Sequence, residues 1–225
     1  VAGDFRNAGR RVVEAHGTQW VEVRPGFYEP PHRMLRLSIA QARRPTALCW
    51  GYSICLRPED VRHANGFMPV HLLTDFERYD EFALPAKRRR QLIKSRSQVR
   101  LVWLPEPGPL IDQGYELVRS FCQRVRLDKL PSREVFERNI HRQYARGSHI
   151  TIAAMVGDTM AGFVAFSAIG STAYLQSVCI GSEYLPLNIG TALAFEVVQV
   201  CRRTEGIREI SYGLEFPADP NLGRF

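Results

Sequence analysis

The sequence predicts an α/β fold of the α+β kind, a mixed central sheet with flanking helices, and three observations carry that reading. Residues 149–214 run strand, strand, strand, helix, strand, with apolar positions at period two in the strands and at helical spacing in between. Two amphipathic helices precede them. The strand that ends at Val178-Cys-Ile180 passes through the loop Gly181-Ser-Glu-Tyr-Leu-Pro-Leu-Asn-Ile-Gly190 directly into a helical run, Thr191 to Arg203.

Taken in order, Asp4 to His16 reads as a helix and Trp20 to Val23 as a short strand. Met34 to Ile39 and Thr46 to Leu56 follow as strands, the latter with Leu48, Trp50, Tyr52 and Ile54 at period two. Proline at positions 25, 30, 31, 45, 58, 69 and 85 keeps the connections of this half irregular. Asp75 to Asp80 and Pro85 to Arg96 read as helices, the second opened by a proline suited to a first turn. Val99 to Leu104 is a compact strand that stops at Pro105-Glu-Pro-Gly108, and this cluster sets the expected domain boundary, 1–107 against 108–225.

Beyond it, Leu110, Tyr115, Leu117, Val118, Phe121, Cys122 and Val125 share one broad helical face, and Ser132 caps a helix with Val135, Phe136, Ile140 and Tyr144 inward. His149 to Val156 and Met160 to Ile169 pair across Gly157-Asp158. Ser171 to Ile180 is the third strand, and Glu209 to Leu214 closes the series.

Composition excludes several classes. The 225 residues are 45% hydrophobic and 24% charged, enough to bury a full core. No apolar run approaches the roughly 18 residues of a membrane span, and Val1-Ala-Gly-Asp4 lacks the pattern of a secretion signal, so a cytoplasmic protein without membrane association is expected. The five cysteines, Cys49, Cys55, Cys122, Cys179 and Cys201, are widely spaced with no CxxC pair, and read as reduced thiols; no metal is expected. The net charge of +7 lies in the first half, with 18 basic and 11 acidic residues in 1–107 against 12 of each in 108–225. Lys87, Arg88, Arg89, Arg90, Lys94, Arg96 and Arg100 run together without an acid, either as a solvated helix face or as a contact for anions or RNA.

The loop before Thr191 has a physical use. Unpaired N–H groups and the positive dipole end of a helix N-terminus favour an anion such as a pyrophosphate, and Gly190 lets the backbone come close. Val178 to Gly190 resembles the strand-loop-helix signature of the Gcn5-related N-acetyltransferase (GNAT) superfamily, in which an apolar strand end and a Glu-Tyr pair precede an Arg/Gln-x-x-Gly-x-Gly/Ala loop. The hairpin Ile152 to Phe166, with its Met160-Ala-Gly-Phe163 segment, is similar to the same superfamily. Leu84 to Lys94 looks like the basic helix of the branch related to the Fem aminoacyl transferases, and the resemblance covers about residues 72–225. It departs at Leu185, where Arg or Gln is usual, at Pro186, and at Asn188, where the first motif glycine belongs.

What the resemblance implies is an acyltransferase with an acetyltransferase-type sheet, moving an acyl group from acyl-CoA to an amine on a small molecule or peptide. The Fem-like alternative takes its acyl group from an aminoacyl-tRNA, reached through Lys87, Arg88, Arg89, Arg90 and Lys94; an inactive binding module of the same fold is the third reading. For acyl-CoA the expected contacts are the Val178 and Ile180 backbone and Asn188, Ile189, Gly190 and Thr191. The chemistry needs a proton acceptor for the amine and a donor for the leaving group. The strand segment Tyr174 to Val178 carries no carboxylate, so the candidates are Gln176 to orient a water or the amine, Tyr212 to protonate the leaving group, and Glu215 to act as base through water. Cys179 reads as a buried structural thiol and His149 as a surface or edge residue. Superfamily members continue past this last strand with further strands and a helix bearing a general acid. Here those elements are left to the N-terminal half, to a partner chain, or to sequence outside this one.

Overall fold

The computed structural model describes residues 2–7, 9–126, 130–145 and 147–214. It divides into two compact units, Val1–Pro69 and Val70–Phe225.

In the first unit, helix α1 (Ala2–Asn7) precedes β1 (Val12–Ala15), β2 (Thr18–Arg24), β3 (Phe27–Glu29), β4 (Arg36–Leu37), β5 (Gly51–Tyr52) and β6 (Cys55–Leu56). The order β1-β2-β3-β5 forms one sheet and β4-β6 a second, over a core of Trp20, Tyr28, Leu37 and Cys49. The helix expected over Asp4 to His16 stops at Asn7. The β-branched pair Val12-Val13 favours an extended chain, and His16 (φ 55°) and Gly17 (φ 69°) make the two-residue turn that pairs Ala15 with Thr18. The expected strands at Met34 to Ile39 and Thr46 to Leu56 shrink to two-residue pieces. Leu48 and Trp50 lie on the surface, 79% and 65% exposed, with the Trp50 indole donating to the Pro25 carbonyl (2.7 Å), so their alternation reflects no buried face.

The second unit holds β7 (Val70–Leu73), α2 (Ala86–Arg96), β8 (Arg100–Trp103), α3 (Gly108–Val125), α4 (Arg133–Tyr144), β9 (His149–Val156), β10 (Thr159–Ile169), β11 (Thr172–Ile180), α5 (Ile189–Arg203) and β12 (Glu209–Leu214). Asp75 to Asp80 reduces to a 3-10 turn, Phe76–Arg78. Six strands form one sheet in the order β7-β12-β11-β10-β9-β8, antiparallel throughout except for the parallel pair β11 and β12. One face packs on α5 through Val164, Phe166, Ala173, Leu193, Val197 and Ile210. The other packs on α3 and α4 through Leu110, Leu117, Phe136, Ile140, Phe163 and Cys179. Helix α2 joins the α5 side, where Leu84 and Leu92 meet Ala192 and Phe195.

The composition boundary at 107/108 therefore falls inside the second unit, whose sheet takes β7 and β8 from the N-terminal side. A proline cluster marks a bend in the chain, but strand pairing decides what folds together. The strand beyond β12 comes from upstream, as β7, one of the sources left open by the sequence. At Gly162 a Cβ would lie 2.9 Å from the Cys179 carbonyl oxygen, a contact that only glycine permits between β10 and β11.

Candidate active site

Strands β11 and β12 pair over three positions only, Thr172 with Glu209, Ala173 with Ile210 and Tyr174 with Ser211. Beyond Tyr174 each continues, β11 to Ile180 and β12 to Leu214, without pairing to the other. On its far side β11 stays bonded to β10, with a register shift opposite Ala165 and Phe166 that leaves Gln176 as the extra residue. This bulge resets the alternation. Ala173 and Leu175 face α5 before it and Val178 and Ile180 after it, while Cys179 faces α3.

The phase of the ladder decides what the open edge offers. Gly181 N–H donates to the Ala161 carbonyl (3.0 Å), so Gly181 and Cys179 are the residues bonded to β10. In an antiparallel pair the residues between them turn their N–H and C=O outward. Of the two expected backbone contacts, Val178 thus presents its N–H and C=O to the opening beside β12 and Ile180 its N–H, because Arg124 of α3 already donates to the Ile180 carbonyl.

The open strand leads into the loop that starts α5. A 3-10 turn, Ser182–Leu187, ends at Asn188, which stands in the left-handed region (φ 56°, ψ 33°) as the N-cap of α5. Asparagine tolerates that conformation better than other side chains, so the conformational role of the missing motif glycine is kept. The Asn188 amide donates to the Pro186 carbonyl (3.2 Å). Thr191 N–H is spent on the Asn188 carbonyl (3.0 Å), leaving Ile189 and Gly190 as the α5 donors without a partner among the described residues. Gly190 also answers a packing need, since a Cβ there would meet Ile180 Cδ1 at 3.2 Å.

Two flanking elements hold this loop, and sequence reading passed over one of them. From α3, Arg124 donates to the Ile180 carbonyl (2.9 Å) and to Ser182 Oγ (3.1 Å), and Ser120 Oγ accepts from Ser182 N–H (3.0 Å). No motif marks Arg124; only the folded proximity of residues 56 apart in sequence reveals it. From α2, Lys94 Nζ donates to the Pro186 carbonyl (3.2 Å). Lys87 and Arg90 lie on the same helical face as Lys94 and are exposed. The basic run is otherwise partly structural: Arg89 reaches the carbonyls of Glu81, Phe82 and Leu84, Arg88 donates to Gln91, and Arg96 pairs with Glu81 (3.2 Å).

The proton-transfer candidates separate. Gln176, exposed at the bulge, donates to Ser167 Oγ (2.8 Å), which ties its amide to β10, on the side of β11 away from β12. Tyr212 is the first β12 residue beyond the last pairing. It is 37% exposed, yet the packing close around the hydroxyl, then the neighbouring Tyr79 and Cys201, push the phenol up to about 12, and it is protonated at neutral pH. Glu215 lies outside the described residues. Cys179 is buried with its thiol pushed up to about 12, chiefly by desolvation, and is chemically quiet. His149, half-buried, sits against the Tyr144 ring with Nε2 3.0 Å from Thr151 Oγ1, away from the opening on β9.

An antiparallel sheet with one parallel pair that parts beside a helix N-terminus defines an acetyltransferase-type core. Residues 112–221 match the model of the acetyltransferase (GNAT) family. The chain is similar in fold to FemX over 98% of its length and 83% of that chain (TM-score 0.65, 9% identity). It is likewise similar to the C-terminal domain (DUF2156) of a proposed lysylphosphatidylglycerol synthetase from Agrobacterium fabrum, over 99% of this chain and 76% of that one (TM-score 0.63, 11% identity). A conserved protein of unknown function from Bacteroides thetaiotaomicron aligns over 70% of this chain and 53% of its own (TM-score 0.52, 13% identity). No curated protein matches in sequence. Among the described residues no helix is long and apolar enough to cross a membrane.

Proposed function

We propose that the protein is an N-acyltransferase that takes an acyl group from acyl-CoA and passes it to an amine. The observation that carries this reading is the continuity of the outward-facing peptide groups of Val178 and the Ile180 N–H with the unpartnered N–H groups of Ile189 and Gly190. An extended amide-bearing arm fits the first and a pyrophosphate the second, so one donor of CoA's chemistry satisfies both. Lys94, already at the loop, adds a positive charge for the phosphates.

On this reading the thioester lies where β11 and β12 part. The acceptor nitrogen attacks the carbonyl carbon and gives up a proton to water, the C–S bond breaks, and Tyr212 gives its proton to the leaving thiolate and regains one from solvent. Asn188 serves the loop through its backbone conformation rather than through its side chain.

Calorimetric titration with acetyl-CoA and longer acyl-CoAs tests this. Saturable binding that Lys94→Glu weakens supports it; absence of binding to every acyl-CoA contradicts it. The stripe of Lys87, Arg90 and Lys94 favours a second reading, an aminoacyl-tRNA donor. Salt separates the two: RNA binding falls steeply with ionic strength, and CoA binding much less.

A further inference from the structure

Arg124 places a cation in the opening itself, and the proposed donor makes no use of it. The Ile180 carbonyl faces away from β10, toward the side on which β12 has parted, and Arg124 Nη1 donates to it at 2.9 Å. The same nitrogen donates to Ser182 Oγ (3.1 Å), and the guanidinium carbon stands 5.5 Å from the centre of the Phe121 ring. These contacts fix where the exposed guanidinium sits, yet they use only Nη1. Its Nε and Nη2 donate to nothing among the described residues, and no carboxylate there pairs with the charge. An arginine held by one nitrogen still offers a planar fork of N–H donors, which suits a carboxylate or a phosphate.

The face on which it stands says which substrate brings that group. Leu175, Val178 and Ile180 turn their side chains into the α5 core, so that face of β11 is filled. The α5 N-terminus and Lys94 of α2, which serve the donor's phosphates in the reading above, lie on the same side. Arg124 comes from α3, on the opposite side of the sheet. A donor arm that pairs with the edge of β11 lies in the plane of the sheet. A nucleophile approaches a carbonyl from above or below the plane of that group, hence from one face of the sheet or the other. With the α5 face filled, the amine arrives over the α3 face, where Arg124 stands.

We propose that Arg124 selects an acceptor amine that also carries an acidic group, a carboxylate or a phosphate, and anchors that group at the Ile180 end of the opening. Between Gln176, just past the last paired residue, and Ile180 the strand runs on the order of 13 Å. The amine and the acid of a fitting acceptor stand roughly that far apart. At this distance from the thioester Arg124 determines specificity and takes no part in the proton transfers.

The inference rests on the acyl-CoA reading, and the experiment keeps the two apart. The probes are the linear ω-amino acids aminohexanoate, aminooctanoate and aminoundecanoate, each compared with its amide so that only the acid changes. Their binding is measured by calorimetry without donor, and transfer from acetyl-CoA by thiol release, for the wild type, Arg124→Gln and Arg124→Lys. The wild type is expected to prefer acid to amide by about tenfold or more in kcat/KM, most strongly for the longest probe. Arg124→Gln raises KM for the acids far more than for the amides and leaves acetyl-CoA affinity as it was, and Arg124→Lys keeps part of the preference. Equal use of acids and amides by the wild type at every length overturns the proposal. A loss in Arg124→Gln that acids and amides share equally also overturns it, since that marks a structural residue. So does a weakened affinity for acetyl-CoA with unchanged affinity for S-acetylpantetheine, which assigns Arg124 to the donor's phosphates. Failure of the wild type to bind any acyl-CoA contradicts the donor reading; acid-over-amide binding without donor then supports the Arg124 site, and its absence overturns it. Melting curves check that both variants fold, and if Arg124→Gln does not, the shift in preference in Arg124→Lys decides.

Discussion

Tyr174 and Ser211 are the last residues to join β11 to β12, and everything assigned to the site lies just beyond that pair. On one arm stand Gln176, Val178 and Ile180, and on the other Tyr212. A sheet that stayed paired here would spend those peptide groups on itself. The parting of the strands, rather than any single side chain, leaves peptide groups of β11 unpaired at the opening.

Asn188 supports the loop by its conformation (φ 56°). Asn188→Gly is expected to fold with unchanged or slightly higher stability, whereas Asn188→Val costs about 1–2 kcal/mol for placing a β-branched residue in the left-handed region. Urea unfolding of the two variants checks the contrast.

The basic helix divides into binding and structural residues. Lys94→Glu is expected to weaken a phosphate-bearing donor by about 1 kcal/mol or more, roughly fivefold in Kd, with little change in Tm. Arg89→Ala has the opposite profile, because its guanidinium ties down three carbonyls of the preceding turn. Paired titrations and melting curves separate them.

Tyr212→Phe removes the proposed acid while keeping the ring. We expect a loss in kcat on the order of 10²-fold with donor affinity intact. Equal activity in the two proteins assigns the leaving-group proton to another donor.

Alkaline pH tests the buried thiols. Cys179 is raised from 9.0 to about 12 and Cys201 from 9.0 to about 11, so the folded chain holds protons that the unfolded chain releases. Their contribution is complete below pH 9 and is lost as pH climbs toward 11 and 12. The urea midpoint should therefore fall above pH 9, less steeply in Cys179→Ala. Iodoacetamide should leave Cys179 unmodified at pH 8 until the protein unfolds.

The C-terminal half was legible because its signals are local. Glu209 to Leu214 is a strand as read, Ser132 caps its helix by accepting from Val135 N–H (3.3 Å), and Gly157-Asp158 turns β9 into β10. The N-terminal half misled because Leu48 and Trp50 alternate without a buried face, and His16-Gly17 makes a hairpin turn inside an apparent helix. At the candidate site, Val178, Ile180 and Gly190 came from the strand-loop-helix segment and its resemblance to the GNAT signature. Arg124 was not legible there, since it gains its meaning from a partner far along the chain, the Ile180 carbonyl.

The most direct test of the account is amide hydrogen exchange at Val178 and Ile180, followed residue by residue with and without saturating acetyl-CoA. The account predicts slow exchange at Cys179 in both states, from its bond to β10, and new protection at Val178 and Ile180 when the donor is present. Unchanged exchange at Val178 and Ile180 in a protein that binds the donor would contradict it, and would move the acyl arm away from the opening between β11 and β12.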